Sequence, residues 1–410
     1  MFLFATLAAC LSLLPCATFA QPTDILNTPE AQVLIDWIQE SGGFFDPRLS
    51  IRHEVPTDKT TLRGVFAGAP IADGDLLLRV PWELCIAPTT TESGSNCTTT
   101  SQCLCYAEQN LREAIKRGNS SIHGPYVDLL LAKKIELPNV WSAEERALLL
   151  RLLGGELPPK QQRLTTHSNW WLSACHGDTS DQLALASLLL LVTRGVEVKE
   201  GPVWTIMTPV FDFLNHRNGA WSNTYLGSRA MEDFELYASR DIERGEQLYF
   251  SYKHGSDELF VHYGFVEQYP QQWTFEVEDL SEKYSSFREV QFMLDEYDTA
   301  EGLKNLVHWD GEIAQSGPSL EVVVALEGLR DRLKSRRATE GIDNTGGRSD
   351  SPHFSLIRAY VSAVETALES AVKVGRAAHV ELGEESIDGV ASWERERPSE
   401  AELRGIRTEN

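Results

Sequence analysis

The sequence predicts an α+β fold with an irregular β core, a helical insert within that core and a helical C-terminal domain. Short apolar segments separated by turns occupy residues 51–88 and 204–265, a pattern typical of small β structure. Helical patterning fills the chain between residues 106 and 198 and resumes after Gln272. The length of 410 residues is sufficient for a sizeable core and roughly two to three domains.

The first elements along the chain are a helix and a pair of strands. Thr28 is a suitable N-cap, Pro29 fits the first helical turn, and Gly42 ends the helix. Residues 62–67 and 76–80 then form short apolar segments on either side of a turn, and each predicts a strand.

The insert and the second β segment follow. Ser142 and Glu145 form a capping box, which predicts a helix start. The apolar run at residues 183–192 is too short to cross a membrane and predicts a buried helix. Residues 234–238 alternate in polarity, and residues 247–252 favour a strand.

The C-terminal part contains one long amphipathic helix that begins past Pro352. Its apolar face consists of Phe354, Ile357, Val361, Val364 and Leu368. Residues 381–410 are acidic and rich in turn-forming residues, so we expect a mobile tail.

The composition argues against disorder and against nucleic-acid binding. The chain has 37 Lys and Arg against 60 Asp and Glu, which gives a net charge of −23. A chain this acidic, without a long polybasic run, repels a phosphate backbone. The hydrophobic content of 42 % is that of an ordinary globular protein.

Residues 1–20 predict a cleaved secretory signal. They contain no charged side chain, are apolar from Phe2 to Leu14 and end in small residues. This segment is too short for a comfortable membrane span, so we expect no span after cleavage. We expect the secretory pathway or secretion. A signal anchor, the first half of a bipartite plastid address, or a cytoplasmic chain without a signal are the alternatives.

Five cysteines lie outside the predicted signal, namely Cys85, Cys97, Cys103, Cys105 and Cys175. Because the number is odd, at least one thiol is free or pairs between chains. Three of the five lie in or next to a Thr/Ser-rich segment that contains a glycosylation sequon at Asn96, and a second sequon begins at Asn119. We expect a surface loop with one disulfide, because no fourth ligand at suitable spacing supports a zinc site.

Three sequence motifs occur in order within the β segments. The first is Leu62-Arg63-Gly64-Val65-Phe66-Ala67, the second is Asp212-Phe213-Leu214-Asn215-His216, and the third runs from Gly245 to Tyr252 and continues to His262-Tyr263-Gly264-Phe265. Together they resemble the SET-domain methyltransferases, in particular the branch of the Rubisco large-subunit and actin-histidine methyltransferases. The resemblance covers about residues 31–380.

This resemblance implies a SET core that contains a pseudoknot, an exception to the usual unthreaded connections. It implies a SET domain at residues 31–268, with the helical insert at about residues 104–200, and a helical substrate-binding-like domain at residues 273–380. It further implies a monomeric enzyme that uses S-adenosylmethionine, without a metal, to methylate a lysine side chain of a protein substrate.

The resemblance also assigns roles to individual residues. Tyr252 is the implied catalytic residue, since its phenol can orient an amine beside the methyl group. The implied cofactor-binding residues are Arg63, Gly64, Arg194, Asn215, His216 and Phe265. The implied substrate-binding residues are Tyr225 and Tyr263, which line the channel, and Asp212 at its mouth. A tyrosine at position 263 favours lysine over histidine as the acceptor.

Two positions depart from the family pattern. Leu62 stands where the first motif usually has glycine, and Thr61 stands where this branch often has Glu. These departures favour an alternative, a non-catalytic SET-fold module that binds a polypeptide, whereas Arg194, Asn215 and Tyr252 oppose it. A protein-histidine methyltransferase is a third hypothesis.

Overall fold

The computed structural model describes residues 27–55, 63–88, 97–131, 135–160, 164, 171–199, 203–227, 232–279, 286–299, 302–311, 313–342 and 352–384. The predicted signal at residues 1–20, the motif departures at Thr61 and Leu62, the sequon residue Asn96 and residues 385–410 lie outside the described residues.

The described helices confirm the predicted helix starts. They are α1 (Pro29–Glu40), α2 (Thr100–Arg117), α3 (Gly124–Leu131), α4 (Ala143–Leu153), α5 (Gln182–Arg194), α6 (Ser256–Tyr263), α7 (Ile313–Ser316), α8 (Leu320–Glu340) and α9 (Pro352–Glu384). The Thr28 side chain accepts a hydrogen bond from the first turn of α1. Ser142 and Glu145 form the complete capping box of α4.

The described strands form four sheets. They are β1 (Phe44–Phe45), β2 (Leu49–His53), β3 (Arg63–Ala67), β4 (Leu76–Val80), β5 (Val196–Lys199), β6 (Val203–Ile206), β7 (Asn215–His216), β8 (Thr224–Leu226), β9 (Phe234–Ala238), β10 (Gln247–Phe250), β11 (Gln271–Asp279), β12 (Ser286–Thr299) and β13 (Gly302–Trp309). The sheet orders are β1-β4-β9-β8, β2-β3-β10-β7, β11-β12-β13 and β5-β6.

The β2-β3-β10-β7 sheet brings the three sequence motifs together. Strand β10 runs antiparallel to β3, where Leu248 lies opposite Val65. On its other edge β10 runs parallel to β7, where Tyr249 lies opposite Asn215. The first, second and third motifs therefore occupy three adjacent strands although they are far apart in the chain.

The cysteines in the helical insert correct one prediction. Cys97 pairs with Cys103, and Cys105 pairs with Cys175, so there are two disulfides rather than one. Thr99 caps α2, which places Cys103 and Cys105 at buried positions of a helix and not in a surface loop. Cys85 is a buried free thiol.

Strands β11, β12 and β13 correct another prediction, because they form an antiparallel sheet where helices were expected. Trp273, Phe275 and Val277 are buried, while the residues between them are more exposed. The same alternation places Val290 and Phe292 in the core from the neighbouring strand. This period of two is the signature of a half-buried strand. The helical prediction is confirmed only from α7 onwards.

One hydrophobic core connects this C-terminal sheet to helices from earlier in the chain. It includes residues from β11–β13, from α4 and from the C-terminal helices α8 and α9. Phe260 and Val261 of α6 belong to it as well. Because α6 also carries Tyr263, the C-terminal packing supports a helix that bears a predicted site residue. Helix α9 continues to Glu384, so the expected tail start at residue 381 is wrong by one turn.

No helix within the described ranges is long and apolar enough to cross a membrane.

Candidate active site

Tyr252 follows β10 and is anchored at both ends. Its hydroxyl donates to the Leu214 carbonyl oxygen at 2.8 Å, and its backbone N–H donates to Nδ1 of His216 at 3.0 Å. Burial raises the pKa of the phenol above its ordinary value. The phenol is therefore neutral at physiological pH, and its hydrogen is committed to Leu214. Only its oxygen lone pairs are left to accept a further hydrogen bond.

Aromatic rings surround this phenol. The Tyr263 ring centroid lies 4.8 Å from that of Tyr252 and 6.3 Å from that of Phe265. Phe265 also lies near His216, at 6.2 Å between ring centroids. Burial raises the pKa of Tyr263 as well. The structure thus brings together four of the predicted site residues, and their ring faces can interact with a cation.

Asn215 links the first and second motifs directly. Its Nδ2 donates to the carbonyl oxygen of Arg63 at 3.0 Å. Beside this contact, a Cβ added at Gly64 would overlap the side-chain amide of Gln247 and would lie 3.2 Å from Asn215 Nδ2. A side chain at position 64 would therefore require the Gln247 amide to move, and glycine leaves this space free.

Arg194 and Asp212 form an ion pair at 3.0 Å between Nη1 and Oδ2. The Asp212 side chain is only 1 % exposed, so the prediction that it lies at the mouth of a channel is wrong. Its short helical turn, Phe211–Phe213, buries it between two core phenylalanines. Burial raises the pKa of the Asp212 carboxyl, while Arg194 acts to lower it. The pair fixes the orientation of a partly exposed guanidinium.

Several buried polar atoms in this region have no hydrogen-bond partner within the described part of the chain. They are Oη of Tyr126, Nε of Arg194, Oδ1 of Asp212 and Nε2 of Gln247. Tyr126, Asp212 and Arg194 are close enough to affect one another electrostatically. Buried polar atoms without partners are costly, and a polar ligand that pairs with them removes that cost. Within this set, the Nε–H of Arg194 can donate to a ligand carboxylate, whereas Oδ1 of Asp212 can accept only from a donor group.

Sequence reasoning missed Tyr126 and Glu267. Tyr126 is a fully buried polar aromatic residue within the apolar helix α3. The Glu267 carboxylate is fully buried and accepts a hydrogen bond from His216. A single acid just after Gly264, Phe265 and Val266 was the signal available in the sequence.

Tyr225 lies apart from the other predicted site residues. It is 45 % exposed on β8 and stacks on Tyr237, with ring centroids 5.5 Å apart. In the described ranges it makes no ring contact with Tyr252 or Tyr263. Its role in substrate binding stays a prediction.

The backbone is strained on both sides of the site. Val210, two residues before Asp212, has φ +71°, and Lys253, directly after Tyr252, has φ +59°. Left-handed backbone is unfavourable for residues other than glycine, above all for a β-branched valine, and such strain concentrates at functional sites. Among the described residues, no group of three or more His, Cys, Asp or Glu side chains is arranged to hold a metal ion.

Comparison with known proteins identifies the core that carries these residues. The family model for the SET domain matches residues 62–253, a range that includes all three motifs from their first residue to Tyr252. This segment is a SET domain. No curated protein sequence matches the chain.

Solved structures share the fold over 87–93 % of this chain, which extends beyond the residues that the family model matches. Rubisco LSMT bound to AdoMet is 16 % identical, with a TM-score of 0.51 over 87 % of this chain and 93 % of that chain. Rubisco LSMT bound to sinefungin and monomethyllysine gives 16 % identity and a TM-score of 0.53 over the same shares, 87 % and 93 %. The SET domain of LSMT bound to lysine and AdoHcy is 16 % identical, with a TM-score of 0.51 over 93 % of this chain and 97 % of that chain. The predicted fold class is confirmed.

Proposed function

We propose that this protein is an S-adenosylmethionine-dependent protein-lysine N-methyltransferase. The observation that carries the proposal is the anchored, neutral phenol of Tyr252 at the point where the three motif strands meet. The solved structures that share the fold are bound to AdoMet, AdoHcy or sinefungin, and some also to lysine or monomethyllysine. Their ligands support the same cofactor and acceptor class for this chain.

The residues around Tyr252 fit the proposed cofactor. Arg194 would hold its carboxylate, because the guanidinium is fixed by Asp212 and keeps an unpaired Nε. The Asn215 side chain and the backbone of His216 would hold the remaining polar groups, and Phe265 would pack against the adenine. When bound, S-adenosylmethionine supplies a methyl group on a positively charged sulfur.

Tyr252 is suited to orient an amine. Its oxygen can accept an N–H of the acceptor, since its own hydrogen is donated to Leu214. The neutral phenol is not a base at physiological pH, so the lysine ammonium, with an ordinary pKa of about 10.4, has to lose its proton elsewhere before it is oriented. The Tyr263 ring, 4.8 Å from that of Tyr252, would narrow the approach of the acceptor and exclude water, which would favour a long unbranched amine over an imidazole.

Calorimetry with S-adenosylmethionine tests the proposal. We expect micromolar-scale binding, on the order of 1–100 μM, and we expect Tyr252→Phe to retain this affinity. Tyr237→Phe is the matched control and should also retain the affinity. The Tyr237 hydroxyl donates to Glu235 at the surface of the β8–β9 pair. The absence of any heat with cofactor would favour the alternative of a non-catalytic polypeptide-binding module.

We also propose that the protein enters the secretory pathway. Four of the five cysteines outside residues 1–20 form disulfides, which are rare in reducing compartments. The sequon residue Asn119 is exposed in the turn Gly118–Ser120. In secreting eukaryotic cells we expect a glycan that peptide N-glycosidase removes and that Asn119→Gln reduces or abolishes. A chain that carries no glycan and has every cysteine as a free thiol would contradict this proposal.

A further inference from the structure

Glu267 is a buried residue whose carboxylate contacts His216 of the second motif. A buried carboxylate is costly unless its lone pairs are satisfied. Its Oε1 accepts from His216 Nε2 at 2.8 Å and from Asn218 Nδ2 at 2.5 Å. Its Oε2 accepts from the hydroxyl of Ser256 and from the backbone N–H of Gln272. One side chain therefore joins strand β7, helix α6 and strand β11.

The contact with Glu267 determines where His216 carries its proton. Nδ1 of the ring accepts the backbone N–H of Tyr252 at 3.0 Å, so Nδ1 carries no hydrogen. A neutral imidazole has one N–H, which must then lie on Nε2 and donate to Glu267. The other tautomer, or the imidazolium, would set an Nδ1–H against the Tyr252 N–H and break this contact.

Asn218 provides a second connection from Glu267 to the same turn. Its Oδ1 accepts from the Ser251 hydroxyl at 2.7 Å while its Nδ2 donates to Glu267. The Ser251 hydroxyl oxygen in turn accepts the backbone N–H of Lys253 at 3.2 Å. Lys253 has the left-handed backbone described above, which needs such support. Both chain neighbours of Tyr252 are thus held through one carboxylate.

We propose that Glu267 is a positioning residue for Tyr252, acting through the tautomer of His216 and through Asn218. This inference rests on the proposed methyl transfer and deepens it. The phenol can orient an amine only if the turn at residues 251–253 stays in place. An error of about 1 Å in such a position can lower a rate about a hundredfold.

A double-mutant cycle between Glu267→Gln and Tyr252→Phe tests the proposal. A glutamine amide at position 267 cannot accept at both ends, so we expect kcat to fall at least about tenfold, with little change in the affinity for S-adenosylmethionine. In the Tyr252→Phe background, Glu267→Gln should cause little further loss, because its target is already removed. Equal losses in both backgrounds would overturn the proposal.

Glu108→Gln is the matched control. Glu108 is a buried carboxylate on α2 that contacts Arg112 and is linked to none of the motif residues by the contacts described above. This variant should alter stability without lowering kcat, and any effect should be the same in both Tyr252 backgrounds.

Two further measurements keep the proposal falsifiable. If Glu267→Gln does not fold, Ser251→Ala removes only the Asn218 connection, and we expect a kcat loss of about threefold that is absent in the Tyr252→Phe background. If the wild-type chain transfers no methyl group, the proposed function fails, and the ¹⁵N signals of His216 then decide the positioning claim. We expect the Nε2–H tautomer in the wild type, and the other tautomer would contradict the claim.

Discussion

The candidate site and the C-terminal unit, which we define as the described residues of the range 271–384, are held together by different contacts. The site depends on buried polar groups, such as the Arg194–Asp212 pair and the contact between His216 and Glu267. The C-terminal unit depends on apolar packing, in which Phe275 stacks on Phe292, and its Tyr360 stacks on Phe260 of the neighbouring helix α6.

This difference predicts how each region responds to mutation. Apolar packing contributes in proportion to the area and volume that are buried, so its loss lowers stability. Buried polar networks add little net stability but are costly when broken, and they hold side chains in one arrangement. We therefore expect substitutions in the C-terminal unit to affect stability alone, and substitutions in the site to affect binding and rate as well as stability.

The largest expected effect belongs to the C-terminal unit. Phe292 is 0 % exposed and contacts Phe275 and Trp309. Phe292→Ala should lower the free energy of unfolding by roughly 3–5 kcal/mol, while the folded fraction keeps its affinity for S-adenosylmethionine. Urea denaturation and calorimetry measure the two quantities. A variant with wild-type stability but without cofactor binding would contradict the claim that Phe292 contributes to stability and not to binding.

A smaller effect is expected at the ion pair of the site. Arg194→Gln removes the cation assigned to the cofactor carboxylate and leaves Asp212 buried without its partner. We expect the affinity for S-adenosylmethionine to fall about tenfold or more, which is about 1.4 kcal/mol. Arg151→Gln, at an exposed pair with Glu340, is the control and should leave the affinity unchanged. Equal affinities in both variants would refute the assignment of Arg194.

The smallest expected effect is a dependence of stability on alkaline pH. Burial raises the pKa of the Tyr126, Tyr252 and Tyr263 phenols above the ordinary value of 10.0. Below pH 10 these phenols are neutral in both the folded and the unfolded chain. As the pH rises above 10, the unfolded chain ionises first, so the free energy of unfolding falls.

Tyr126→Phe sharpens this prediction. Its hydroxyl is buried and has no hydrogen-bond partner within the described residues, so its loss should cost little stability at neutral pH. Urea midpoints between pH 8 and pH 11 should decline less steeply for the variant than for the wild type. If the urea midpoints of the two proteins decline equally with pH, the raised pKa of Tyr126 is contradicted.

The sequence predicted the parts of the fold that carry local signals. Helix starts followed from capping residues such as Thr28 and Ser142, and the motif strands followed from short apolar segments between turns. The sheet formed by β11, β12 and β13 was missed although β11 carries a local signal. Trp273, Phe275 and Val277 alternate with polar residues in the sequence itself, and the structure buries these three side chains.

The site residues that belong to the family motifs were predicted. Residues that reach the site only through tertiary packing were missed. Tyr252, Tyr263 and Phe265 do come together, and Asn215 does contact the first motif. No spacing rule predicts Glu267, because its contact with His216 arises from packing across 51 residues of chain. The burial of Asp212 likewise depends on tertiary packing that no local pattern records.

Methyl transfer from labelled S-adenosylmethionine into a cell lysate tests the central claim most directly. We expect mass spectrometry to locate the added methyl group on lysine side chains, and we expect Tyr252→Phe to lose at least about a hundredfold of this transfer while still binding the cofactor. Label on histidine alone, or equal transfer by the wild type and Tyr252→Phe, would contradict the account.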